Sequence, residues 1–146
     1  MKIIIGSDHA GFDLKEKYKN LLSSELGYEV TDVGAYSADS IDYPDIARKV
    51  AGAISSGEFE KGVLICGSGI GMSIAANRFK GVNAALCHNL FTAEMCRKHN
   101  NANILVVGAR VIGDALALEM LKGYLKTDFE GGRHKMRVDK IDGANP

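Results

Sequence analysis

The chain predicts an α/β fold, a single three-layer α/β/α domain built on a five-stranded parallel sheet. Three observations predict it. Five short, apolar runs rich in β-branched residues alternate with five stretches that carry apolar residues at helical spacing. Such alternation calls for a parallel sheet with helices on both faces. Seventeen glycines against two prolines suit many tight turns between strand and helix. The length of 146 residues suits one domain with a substantial core, read here as an α/β core over 1–127 and a tail over 128–146.

Lys2–Ile5 is the first strand, and it runs into Gly6-Ser7-Asp8-His9. A helix over about Gly11–Leu26 follows, with Leu14, Tyr18, Leu21 and Leu22 on one stripe, and Gly27 stops it. Glu29–Val33 is the second strand, leading into a polar loop from Gly34 to Ile41. Asp42-Tyr43-Pro44 supplies a capping carboxylate and a first-turn proline, so the second helix starts there. Its apolar face is Ile46, Ala47, Val50, Ala51 and Ile54, and Gly57 ends it. Val63–Ile65 is the third strand and Met72–Phe79 its helix, with Ile74, Ala75 and Phe79 available for one face. Asn83–Cys87 and Leu90–His99 form the fourth pair. Ile104–Val107 and Asp114–Leu125 form the fifth, with Leu118, Leu121 and Leu125 inward. A strand order of 2-1-3-4-5, common for doubly wound sheets, puts the topological switch between strands one and three. Ligands bind there, outside the carboxyl ends of the strands.

Composition narrows the function classes. Eighteen basic and eighteen acidic residues leave no net charge, so nothing points to nucleic acid. The sequence has no long apolar stretch and no signal-peptide pattern, which predicts a soluble, cytoplasmic protein away from membranes. Cysteines 66, 87 and 96 are odd in number and lack C-x-x-C spacing, which argues against a disulfide framework or a structural zinc site. Cys87 and Cys96 read as packing residues.

The chemistry concentrates in Val63–Arg78, VLICGSGIGMSIAANR. Cys66 ends the buried strand, and Gly67, Gly69 and Gly71 alternate with Ser68 and Ile70 before the helix. Glycines allow positive φ and close approach of a ligand to the backbone. Amides of Gly69, Ile70 and Gly71 that point one way would form an anion cradle, and a thiol beside it is favoured as its anion. The opposing reading is tight packing around a buried cysteine. Common motifs do not fit. A dinucleotide fingerprint and a phosphatase loop each fail at Met72, which stands where glycine or arginine is required. No Gly-Lys pair completes a Walker A loop. Strand one ends in Ser7-Asp8-His9 and strand three in Cys66-Gly67-Ser68, so the switch-point crevice collects acid, imidazole, thiol, hydroxyl and amides. In the tail, Arg133 and Arg137 share a face if helical and suit a phosphate dianion, against the plainer reading of a solvated basic segment. The tail is too polar for a core helix, and its spaced Met136, Val138 and Ile141 call for a second chain to dock on.

Taken together, SDHAGF (7–12), DYP (42–44), CGSGIGMSIAANR (66–78), HNNANIL (99–105), GAR (108–110) and EGGRHKMRV (130–138) run the length of the chain. In that order they resemble the type B ribose 5-phosphate isomerases, the family that includes the galactose 6-phosphate isomerase subunits. The resemblance implies a cofactor-free, metal-free aldose–ketose isomerase of the pentose phosphate pathway. It implies a homodimer or dimer of dimers with sites shared between subunits. Cys66 would move the proton between C1 and C2, the 67–71 amides would hold the enediolate, and Ser68 would relay a proton. By resemblance His99 opens the furanose ring, Asp8 and Asn100 hold hydroxyls, and Tyr43 lines the sugar pocket. His9, Arg110, Arg133 and Arg137 grip the phosphate, with His134 a weaker candidate. Without the resemblance, Asp8 reads equally as a helix cap and His99 as a helix-end histidine. Three other readings stay open: a six-carbon substrate such as allose or galactose 6-phosphate, a non-catalytic flavodoxin-like binding module, and a metal held by His9, Cys66 and His99.

Overall fold

The computed structural model describes residues 1–143. Five parallel strands form one sheet: β1 (Lys2–Ser7), β2 (Glu29–Asp32), β3 (Lys61–Cys66), β4 (Ala84–Leu86) and β5 (Ile104–Gly108). The helices are α1 (Phe12–Asn20), α2 (Tyr43–Ser55), α3 (Ile70–Ala76), α4 (Leu90–Asn100), α5 (Asp114–Lys126) and α6 (Arg133–Asp142). Successive strand residues face opposite sides of the sheet. Ile3, Ile5, Val63, Ile65, Leu105 and Val107 therefore join the core under α1, α4 and α5. Ile4, Leu64, Cys66, Ile104 and Val106 join the one under α2 and α3. The three-layer arrangement is the one predicted.

The strand order is β2-β1-β3-β5-β4, so the last two strands exchange places relative to the expected 2-1-3-4-5. Burial explains the exchange. All five residues of β5 are buried and need neighbours on either side, whereas β4 is three half-buried residues and suits an edge. The switch between β1 and β3 is unaffected, because β3 still pairs with β1 on one side.

Four local details depart from the sequence reading. The first helix opens with a 3₁₀ turn over His9–Gly11 and closes with a π turn over Leu21–Glu25, where Leu26 N–H donates to Leu21 O at 3.0 Å. That wider turn keeps Leu21 and Leu22 both buried. Asp42 is the N-cap of α2 but its carboxylate makes no capping bond. In α3 Met72 and Ala76 are buried, and Ala75 and Phe79 pack against the same core, so of the expected apolar face only Ile74, 54% exposed, turns outward. The tail, read as too polar for a core helix, coils into α6 after Gly131 and Gly132, both at positive φ, and seats His134 and Val138 while Met136 and Ile141 stay exposed. Glu130 N–H donates to Lys98 O at 3.1 Å, pinning the entry to α6 on the end of α4. Residues 144–146 of the expected tail lie outside the described residues. No helix among the described residues is long and apolar enough to cross a membrane.

Candidate active site

Adjacent strand ends build the site. Ser7 pairs with Ile65 in register, and Asp8 N–H donates to Ile65 O at 3.1 Å, so Asp8 and Cys66 leave neighbouring strands side by side. One carboxylate oxygen of Asp8 accepts from the Ala10 and Gly11 amides at 2.9 and 3.1 Å, so this residue does cap the turn that follows. Asp8 nevertheless lines a cavity of about 620 Å³.

The loop after β3 is laced to β5. Ala109 N–H donates to Cys66 O at 2.8 Å and Arg110 N–H to Gly67 O at 3.0 Å. Gly108 permits this approach, since a Cβ there would lie 2.6 Å from Ser68 O. Gly69 holds φ at +80° and passes so close to Gly108 and Val107 that no side chain fits. At Gly71 the missing side chain is replaced by the Tyr43 ring, whose Cζ would lie 2.5 Å from an added Cβ.

This geometry revises the expected cradle. Gly69 N–H donates to Cys66 Sγ at 3.1 Å, and Ile70 N–H donates to Ser68 Oγ at 3.2 Å. Two of the three amides thus serve the thiol and the hydroxyl. Gly71, in the first turn of α3, keeps an amide with no intrahelical acceptor. Cys66 is only 5% exposed, yet it lines the cavity.

The cavity gathers Asp8, Tyr43, Cys66, Gly67, Ser68, Ile70, Gly71 and Arg110, and Gly69 lies in the same loop. Sequence reasoning missed Ile74 and Val111, two exposed apolar residues on its wall. An apolar residue on the exposed side of a short helix was the signal for Ile74. His9 stands just outside the lining and accepts from Ile41 N–H through Nδ1 at 3.3 Å, which leaves its proton on Nε2.

His99, Asn100, Arg133, His134 and Arg137 are not in this lining. In a parallel sheet α4 returns from the carboxyl edge to the amino edge, so its last residues His99 and Asn100 lie by the start of β5. Cys66 pairs with Gly108 at the far end of that strand. The α6 residues cluster with His99: its ring stacks on His134 with centroids 4.3 Å apart and planes 12° from parallel. Burial and the positive charge of His99, Arg133 and Arg137 push the His134 pKa below the ordinary imidazole value, against the pull of Glu130. His9, Cys66 and His99 form no common cluster, because they occupy opposite ends of the sheet.

Comparison with known proteins decides the kinship. The Ribose/Galactose Isomerase family model matches residues 3–141. The chain belongs to that family. It is 45% identical over 140 residues to ribose-5-phosphate isomerase B of Escherichia coli, covering 96% of this chain and 93% of that protein. A structure of the Clostridium thermocellum ribose-5-phosphate isomerase B superposes with a TM-score of 0.95 at 51% identity, over 98% of this chain and 96% of the other. The Mycoplasma genitalium enzyme, solved with bound ribulose-5-phosphate, superposes with a TM-score of 0.93 at 40% identity, over 97% and 94%. The family's three-layer architecture is the one described above.

Proposed function

We propose that this chain is a type B ribose-5-phosphate isomerase that interconverts ribose 5-phosphate and ribulose 5-phosphate through an enediolate. The observation that carries the reading is the cavity at the switch point, where an amide is aimed at the Cys66 sulfur beside Asp8, Ser68 and Arg110. The family's membership supplies the reaction class.

In the open-chain aldose, Cys66 takes the proton from C2, and the electron pair moves through C1=C2 onto the carbonyl oxygen. The resulting enediolate faces the Gly71 amide and the start of α3, whose dipole favours negative charge. Ser68 passes a proton between the two sugar oxygens, and Cys66 returns its proton to C1, leaving the ketone at C2. Gly69 N–H, aimed at sulfur, solvates the thiolate that takes the C2 proton and that is restored when the proton passes to C1. Asp8 holds a sugar hydroxyl with the carboxylate oxygen the cap leaves over, and Tyr43 walls the sugar.

The reading requires two copies. His99 as ring-opening acid, Asn100, and the Arg133, Arg137 and His134 phosphate grip reach the cavity of a partner, while Arg110 and His9 reach it from the same chain. Exposed Ile70, Ile74 and Val111 around the cavity supply an apolar surface for that partner to cover. The test is an isomerase assay of purified protein on ribose 5-phosphate, allose 6-phosphate and galactose 6-phosphate, with and without chelator. We expect the highest kcat/KM on ribose 5-phosphate and no loss with chelator. Faster turnover of a six-carbon phosphate would overturn the substrate, and no turnover of any would favour a binding module.

A further inference from the structure

The end of the molecule away from the cavity carries a contact that lies outside the reaction steps given so far. The imidazoles of His99 and His134 lie face to face, with centroids 4.3 Å apart and planes 12° from parallel. Rings packed this way touch through their faces, while the nitrogen lone pairs and N–H bonds stay in the ring planes. His99 therefore keeps both nitrogens for proton transfer while one of its faces is covered.

The covering ring is the fixed partner. His134 lies in the first turn of α6 and is 7% exposed, whereas His99 lies at the end of α4 and is half-buried. Val138, one turn further along α6, is the other buried residue of that helix, so the face that packs on α4 is the one that carries His134. Glu130 N–H donates to Lys98 O at 3.1 Å, which ties the entry of α6 to the residue before His99. His134 N–H donates to Gly131 O at 3.0 Å, and its Nε2 lies 3.4 Å from Glu130 Oε2, which sets the rotation of its ring. Among the described residues no hydrogen bond holds the His99 ring, so the stacked face is what selects its rotamer. A general acid must sit within hydrogen-bond reach of the oxygen it protonates, and a misplacement of about 1 Å can cost about 10²-fold in rate. An imidazole free to turn at a helix end does not meet that demand.

We propose that His134 is a positioning residue for His99: its ring is the platform that holds the ring-opening imidazole in the orientation in which it enters the partner's cavity. The proposal rests on the isomerase reading above. This duty differs from a share in the phosphate grip, because a grip needs the imidazole N–H and a platform needs only a flat ring.

The experiment compares His134→Phe with His134→Leu. Both side chains fill the buried position and neither can donate to phosphate, so loss of a phosphate contact affects both alike and KM should shift equally. Only phenylalanine offers a flat face. On cyclic ribose 5-phosphate, kcat of His134→Leu should lie about 10- to 100-fold below that of His134→Phe. The two should bind a linear phosphorylated hydroxamate, which mimics the enediolate and bypasses ring opening, with the same affinity. In a His99→Asn background the gap in kcat between them should vanish, since the platform acts only through His99. In NMR spectra, the His99 ring protons, assigned by their loss in His99→Asn, should keep the shielding of a stacked ring in His134→Phe and lose it in His134→Leu. Equal kcat in the two variants, or a gap that survives His99→Asn, would overturn the proposal. Weaker hydroxamate binding in His134→Leu alone would also overturn it, by making the ring a dock for α6, and so would His99 signals that do not distinguish the variants. A wild type that turns over no sugar phosphate while the His99 signals respond as expected would instead overturn the isomerase reading and leave standing the stack that positions His99.

Discussion

At Cys66, the backbone around the thiol matters as much as the thiol. Gly108 lets the loop lie across the end of β5, Gly69 turns it through positive φ, and that turn is what aims an amide at sulfur. Gly71 leaves room for the Tyr43 ring, so that ring and the loop are one packed unit. If Cys66 moves the C1–C2 proton, Cys66→Ala should lower kcat by about 10²- to 10⁴-fold with KM nearly unchanged, because the lost interaction exists only along the reaction. Wild-type turnover in steady-state kinetics would remove the thiol from the mechanism. Cys87, buried at the other face, is the control: Cys87→Ala should cost about 1 kcal/mol in a denaturant melt and leave kcat alone. The residues of the loop were legible in the sequence because three alternating glycines between a strand and a helix have few uses. What each amide bonds to was not legible, since one φ at Gly69 decides it.

At the scale of elements, α1 and β2 are joined by a charge cluster that no pattern announced. Lys15 is fully buried, its ammonium 2.5 Å from Asp32 and 2.9 Å from Glu16, with the Phe12 ring 5.4 Å away. Lys19 reaches Asp32 at 2.8 Å, and the Gly34 amide donates to its other oxygen at 2.9 Å. Burial opposes the charge on Asp32, but the Lys15 and Lys19 ammonium groups and the Gly34 amide outweigh it and hold the carboxyl below its ordinary value. With the folded value below the unfolded one, this contribution is complete above the ordinary carboxylate range and disappears as pH falls through the lowered value. Asp32→Asn should cost about 3 kcal/mol, the low end for breaking a buried pair because Glu16 still reaches Lys15. It should also flatten the acid limb of a melting-temperature profile between the two carboxylate values. An unchanged acid limb would contradict the assignment. A charged residue within a helical stripe reads as solvent-facing, which is why Lys15 escaped the sequence. The β4/β5 exchange is different in kind: the three-residue, alanine-rich β4 and the uninterrupted ILVVG of β5 already carried the edge and the centre. Helix α6 was hidden by its polarity, since only His134 and Val138 of its ten residues are buried.

Across the whole molecule, chemistry-bearing residues sit at both ends of one parallel sheet, and a single chain cannot fold them together. Cys66, Asp8 and Arg110 surround the cavity at the carboxyl edge, while His99, Arg133 and Arg137 project from the end of α4 and from α6. In the proposed dimer, two copies related by a twofold axis would bring each end to the other's cavity and complete two sites at once. The two arginines lie four apart on α6, the spacing the proposed phosphate grip needs, and Met136 and Ile141 on that helix are exposed, as a partner-facing helix requires. The motif order along the sequence carried the family, but the proposed sharing of sites would lie in an arrangement of copies that no single stretch encodes. Mixing two inactive variants, Cys66→Ala and Arg137→Ala, tests this account most directly. After subunit exchange, half the dimers are mixed, and each mixed dimer holds one site with both defects and one with neither. The account predicts recovery of about a quarter of wild-type activity. If exchange is demonstrated and no activity returns, each chain builds its site alone, and the shared-site account is wrong.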